Sequence, residues 1–284
     1  VDPQGQLTQD ILFSEEDGAL RGVNGIYSHL RKWNIIGFAW FAITELSSDN
    51  SDTGSELADG SVPRLNLFND FTYDASTSEI NGWWTGHYQA ISACNVALDN
   101  LDLLKDEALK TRSIAQARFF RGFFYFNLVR TYGGVPLVLK VQQPAEYDQP
   151  RASEEEVYKQ VIDDLTYAAE NLPTRQEWGE KELGRVTKGT AEGMLAKAYL
   201  FRQDYTNAKK YAGQVISRGE YSLHGDYRNL FSPDSYYSDE IMLADQFLWQ
   251  AERDAASEYV KWQGVRGHFG WGFFSPSSRA THAA

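Results

Sequence analysis

At 284 residues, 42% of them hydrophobic and 14% aromatic, the chain is long enough to bury a large core and too apolar to be disordered. A formal net charge of −12 argues against nucleic acid as a partner, because phosphate binding is driven by basic charge, and reads as a well-solvated surface. A single cysteine, Cys94, allows neither an intrachain disulfide nor a cysteine-based metal site, and in its apolar helical surroundings it reads as a buried thiol.

The first ten residues, VDPQGQLTQD, hold neither a basic stretch nor an apolar one and so do not read as a signal peptide. Ser14 caps a predicted helix whose first turn is acidic (Glu15, Glu16, Asp17), with Leu20, Val23, Tyr27 and Leu30 at helical spacing. Gly18, Gly22 and Gly25 leave room on it for a neighbour. A second apolar helical segment runs from Trp33 to Leu46; within it the run Ile35 to Ile43 is far short of the roughly 20 residues that span a bilayer. From Ser47 to Asn81 the chain is rich in Ser, Asp, Thr, Asn and Gly, with Pro63 in the middle, and reads as a long surface loop of the kind that carries function.

Trp84, Tyr88, Ile91, Asn95 and Leu98 draw one stripe on a predicted helix from about Asn81 to Leu104. The next helix is the most distinctive in the chain: between Ile114 and Leu139 it carries Phe119, Phe120, Phe123, Phe124, Tyr125 and Phe126, threaded by Arg118, Arg121 and Arg130. Gly133-Gly134 and Pro136 then stop it. Aromatics on nearly all sides require that it be enclosed by other helices. Ser153 and Glu156 form a capping box, Val157, Val161 and Leu165 are the buried line that follows, and Leu172-Pro173 ends that helix. Residues 186–219 hold the clearest helix-turn-helix unit of tetratricopeptide type, with Leu195, Ala196 and Tyr199 facing Ala208, Ala212 and Val215. Beyond Tyr221 the helical period is lost, and Gly, Ser and Asp alternate with aromatics through Trp249, Trp262, Trp271 and Phe274.

The run Ala117-Arg-Phe-Phe-Arg-Gly-Phe-Phe-Tyr-Phe-Asn-Leu-Val-Arg-Thr-Tyr-Gly-Gly-Val-Pro-Leu-Val138 closely resembles the signature helix of the SusD/RagB family, glycan-binding lipoproteins on the outer membrane of Bacteroidetes. The likeness continues in family order through Ser48-Asp49-Asn50, the Trp84/Tyr88/Cys94-Asn95 helix, Pro150-Arg-Ala-Ser153, Val186-Thr-Lys-Gly189 and Ala196-Lys-Ala-Tyr-Leu200. It implies a mainly all-α fold: an irregular tetratricopeptide-like scaffold with long loops over residues 1–231, then a less regular, ligand-facing segment over residues 232–284. Family members run on well past this point, so a truncated protein is expected, and one whose leader and anchoring cysteine are gone. The function implied is capture of oligosaccharide at the cell surface for import through a TonB-dependent outer-membrane transporter, with no cofactor.

Two other classes compete: an intracellular tetratricopeptide adaptor that binds a peptide, and a helical glycoside hydrolase. Against an enzyme, no G-x-S-x-G, H-E-x-x-H or P-loop pattern occurs and the five histidines are scattered. Two carboxylates would suffice for a hydrolase, but nothing singles out a pair among 39 acidic residues. Asp49 to Gly54 has a faint likeness to a calcium loop, yet Gly60 stands where the bidentate acid belongs, so a solvated turn or ligand-contact loop is the better reading. Trp84 lies on the buried stripe. Trp83, one residue off it, and Tyr73 in the polar loop are the candidates to stack on sugar, with Asp49, Asn50, Asp52 and Arg64 as a polar rim. Trp262 and Trp271 among Gly264, Gly267, Gly270 and Gly272 fit either a binding platform or core packing. Arg118, Arg121 and Asn95 are expected to be hydrogen-bonded structural groups.

Overall fold

The computed structural model describes residues 13, 16–35, 37–56, 58–230, 232, 235–245, 259–268 and 270–277. Ser14, Phe231 and Trp249, invoked above as a cap, an end point and a late aromatic, lie outside them. In chain order the α-helices of five or more described residues are α1 (Glu16–Ser28), α2 (Phe38–Thr44), α3 (Val62–Asn69), α4 (Ser78–Asn100), α5 (Glu107–Tyr132), α6 (Glu154–Asn171), α7 (Lys188–Phe201), α8 (Tyr205–Arg218) and α9 (Tyr259–Gln263). Two strands, β1 (Ser51–Gly54) and β2 (Phe273–Pro276), pair antiparallel. The fold is mainly α, as expected. The chain divides into two compact units, one drawn from residues 1–27 and 88–246, the other from 28–87 and 247–284.

In the first unit, α5 packs on α6, α6 on α7 and α7 on α8. α5 starts where the Asp106 carboxylate accepts from the N–H groups of Ala108 and Leu109 at 2.9 Å, and stops at Gly133, whose φ of 68° glycine adopts without steric cost. Phe119, Phe120, Phe124, Tyr125 and Phe126 are all buried, so this helix is enclosed as its composition demands. The partners run antiparallel: Arg118 lies over Tyr167, Arg121 pairs with Asp164, and Phe126 meets Tyr158. At the crossing a Cβ on Gly122 would come within 3.1 Å of Leu165. The Ser153–Glu156 capping box of α6 is present in both directions. In the α7–α8 pair, Tyr199 stacks on Tyr211 and Arg218 reaches Glu192, which is the antiparallel helix-turn-helix read from residues 186–219.

A polar network sits inside this apolar stack. Arg121 binds both oxygens of Asp164 at 2.8 Å, and also Asn95 Oδ1 and the Leu139 carbonyl at 3.0 Å. Asn95 donates to the Val138 carbonyl, and the Tyr125 hydroxyl both donates to that carbonyl and accepts from the Val138 N–H. The extended segment after α5 is thereby pinned through groups that burial would otherwise leave unsatisfied. Cys94 is buried and free, and burial pushes its thiol pKa up.

The second unit has its own core: Phe38, Ala42 and Leu46 from α2 and just beyond, Val62, Leu65 and Phe68 from α3, and Trp262, Phe273 and Phe274. Residues 47–81 are therefore not simply loop, which corrects the sequence reading. α3 buries Val62, Leu65 and Phe68 at threefold spacing, and Pro63 sits in its first turn, where the missing N–H costs nothing. The predicted helix from Trp33 to Leu46 is also shortened, because residues 29–35 turn before α2 begins. Among the described residues no helix is long and apolar enough to cross a membrane.

Candidate functional site

All eight residues singled out as binding candidates fall in the second unit, where the β1–β2 pairing organises them. Ser51 pairs with Pro276, Asp52 with Ser275 and Gly54 with Phe273, while Ser277 donates its N–H to the Asn50 carbonyl and its hydroxyl to that of Asp49. The segment of Asp49 and Asn50 that runs into Asp52 of β1 is thus fastened to the end of the late segment, more than 200 residues away, with all three residues exposed. Gly54 makes the close approach possible: its φ is 68°, and a Cβ there would lie 2.3 Å from the Gly272 carbonyl oxygen.

Just beyond, Arg266 donates to Ser55 Oγ and Asp59 Oδ2 at 2.6 Å and to the Trp271 carbonyl at 3.3 Å. The backbone N–H of Ser61 and then the Arg266 guanidinium hold the Asp59 carboxyl below the usual range. Trp271 is half-buried, with the Lys261 ammonium 4.9 Å from its ring centre. Beside it stands Trp33, 45% exposed and stacked nearly parallel on Phe38 at 5.1 Å, with 6.3 Å between its ring centre and that of Trp271. Trp33 is the binding-type residue that the sequence reading missed. Its neighbours suggested a continuous helix, whereas the chain turns here, and the basic pair Arg31-Lys32 was the signal that this stretch meets solvent.

Tyr73 is 39% exposed and stacks on the buried Phe68 at 5.0 Å, with Phe71 still more open in the same loop. Arg64, its side chain 43% exposed, bonds the buried Glu79 at 2.9 Å. Among the described residues no ring contact joins Tyr73 to Trp33 or Trp271, so the exposed aromatics form two patches with one core behind them.

Two candidates are corrected. Trp83 is 1% exposed, packed against Trp40 and His87, and Trp84 is the half-buried one, the reverse of the expectation. The buried line of α4 runs through Trp83, His87, Ala90, Cys94 and Ala97 to Leu101, one residue round from the stripe of larger side chains. Its small and polar members hid it. Trp262 is likewise packed away at 4% exposure, against Trp33, Phe38 and Phe41, because the late glycines fold the segment back onto α2 instead of leaving its rings outside. The indole N–H groups of Trp83 and Trp262 have no acceptor among the described residues.

A flat exposed indole, a second beside it and a rim of Asp, Asn, Ser and Arg can take an apolar ring face and hydrogen-bond the hydroxyls around it. Among the described residues no group of three His, Cys, Asp or Glu is gathered as for a metal ion.

Residues 42–200 match the family model described as SusD-like, starch-binding and associating with the outer membrane. A SusD-like protein of Formosa agariphila is 31% identical over 235 residues, which is 81% of this chain and 45% of that protein. A SusD-like protein of Bacteroides ovatus is 30% identical over 262 residues, 87% of this chain and again 45% of the relative. The chain therefore spans less than half the length of the curated relatives it matches. Among solved structures, a SusD-like protein from Bacteroides fragilis superimposes with a TM-score of 0.80 at 26% identity, covering 97% of this chain and 54% of that one. A laminarin-binding SusD-like protein gives 0.80 at 24% identity, over 92% and 62%.

Proposed function

Because the chain belongs to the SusD-like family, we propose that it acts as a non-catalytic glycan-binding protein of the outer-membrane surface, which captures oligosaccharide by stacking and hydrogen bonding. The observation that carries this reading is Trp33 held flat on Phe38 beside Trp271, an exposed indole on a rigid support, with the Asp52 and Arg266 loops in the same unit. Trp33, Trp271, Tyr73, Asp49, Asn50, Asp52 and Arg64 are the proposed ligand-contacting residues, and residues 232–284 begin the ligand-facing region. A lipid anchor and delivery to a TonB-dependent transporter complete the proposal, as the family resemblance implies.

Malto- and laminari-oligosaccharides are the probes to begin with, given what the family description and one of the structural neighbours name. The chain should bind at least one of the two sets in calorimetry and release no reducing sugar from it. Turnover lost on changing one carboxylate would replace this reading with a hydrolase.

A further inference from the structure

Among the described residues, four other than glycine hold a positive φ: Ser55, Phe71, Gln203 and Phe274. That conformation presses Cβ against the backbone and is least expected of a bulky side chain. Three of the four have a visible reason. Phe274 is buried in the core of the second unit, and Ser55 is held through its N–H by the Gly272 carbonyl and through its hydroxyl by Arg266 and Asp59. Gln203 keeps a polar side chain in water, in the turn between α7 and α8. Phe71 has no such reason: its φ is 55°, and the residue is 66% exposed.

The end of α3 sets this conformation. Thr72 donates its N–H to the Leu67 carbonyl at 2.9 Å and Phe71 donates to that of Phe68 at 3.3 Å, the pair of bonds that closes a helix through one left-handed residue, most often glycine. A glycine here would end α3 at less steric cost and expose no ring. Downstream the loop is fastened by Asp74, whose N–H bonds Thr77 Oγ1 at 3.1 Å and whose carboxylate accepts from the Ser76 N–H at 2.8 Å and hydroxyl at 2.6 Å. Between these anchors Tyr73 lays one ring face on Phe68. Asn69, Asp70 and Thr72, which border Phe71 in the chain, are all exposed. Two open rings on a fastened loop, edged by amide, carboxylate and hydroxyl groups, match the apolar face of a pyranose and the hydroxyls around it.

We propose that Phe71 and Tyr73 form a second sugar subsite, separate from the Trp33–Trp271 patch, in which the strained end of α3 presents the Phe71 ring to one pyranose unit of an oligosaccharide. The inference rests on the reading of the chain as a glycan binder and adds to it a subsite and a residue, Phe71, held in a conformation that lowers stability.

The test is calorimetric titration with maltohexaose and laminarihexaose, alongside thermal melting, of the parent chain, Phe71→Gly, Phe71→Trp and Trp33→Ala. Phe71→Gly removes the ring and the left-handed strain together, so it should melt within about 3 °C of the parent or higher, yet bind about tenfold or more weakly. Phe71→Trp restores a flat ring and should stay within about threefold of the parent affinity. A Phe71→Gly chain that binds as the parent does overturns the proposal. So does one that melts more than about 3 °C below the parent, because the ring would then be packing against the fold. The two readings fail separately: a parent that binds neither sugar sinks both, whereas weakened binding in Trp33→Ala with parent affinity in Phe71→Gly removes the second subsite alone.

Discussion

Asp164 is fully buried, and both of its oxygens are taken by Arg121, which is itself fixed by Asn95 and a backbone carbonyl. Asp164→Ala would leave a buried guanidinium without its counter-charge, and denaturant titration should show a loss of about 3–5 kcal/mol. His29 gives a pH test. Burial, then the Lys32 charge, lowers its pKa from 6.5 to about 4, so the folded state holds it neutral. Its contribution to stability is complete above pH 6.5 and is lost as the pH falls through about 4, because the unfolded chain takes up the proton first. The difference in melting temperature between the parent and His29→Gln should be flat above pH 6.5 and shrink below it. A third test concerns the paired indoles: Trp83→Ala should cost about 3–5 kcal/mol of stability as a buried large-to-small change, and Trp84→Ala roughly half as much. Arg121, Asn95 and Cys94 were legible from the sequence because an ionic or polar group inside an apolar run has few fates. Trp83 was not, since adjacent tryptophans differ by only one helical step and the line that buries it is made of His87 and small residues.

At the scale of elements, local signals were read well and distant pairing was not. The Ser153–Glu156 box and the Gly133 stop each act within one turn of chain, and each appears where the sequence places it. β1 has four residues and exists because β2 pairs with it from more than 200 residues away, so nothing near Ser51 announces a strand. Gly54 is where that pairing is most exposed to test. With positive φ and the Gly272 carbonyl against it, Gly54→Ala should cost about 1–3 kcal/mol and release the Ser55, Asp59 and Arg266 cluster. Amide hydrogen exchange would register this as lost protection at Ser55 and Ser277, whose N–H groups bond Gly272 and Asn50 across the pair.

For the whole molecule, membership of the SusD-like family fixes the scaffold, while the chain spans 45% of its curated relatives, and the proposed ligand contacts all lie in the second unit. The proposed function rests on an exposed aromatic patch there, Trp33 foremost, that binds sugar by its face. Calorimetric titration of Trp33→Ala with the tightest-binding member of the malto- or laminari-oligosaccharide sets tests this most directly. A loss of about 1–3 kcal/mol in binding is expected, with the variant still folded and its stability lowered by no more than about 1–2 kcal/mol, since Trp33 rests on the core with nearly half of its surface exposed. Affinity equal to that of the parent chain would contradict it.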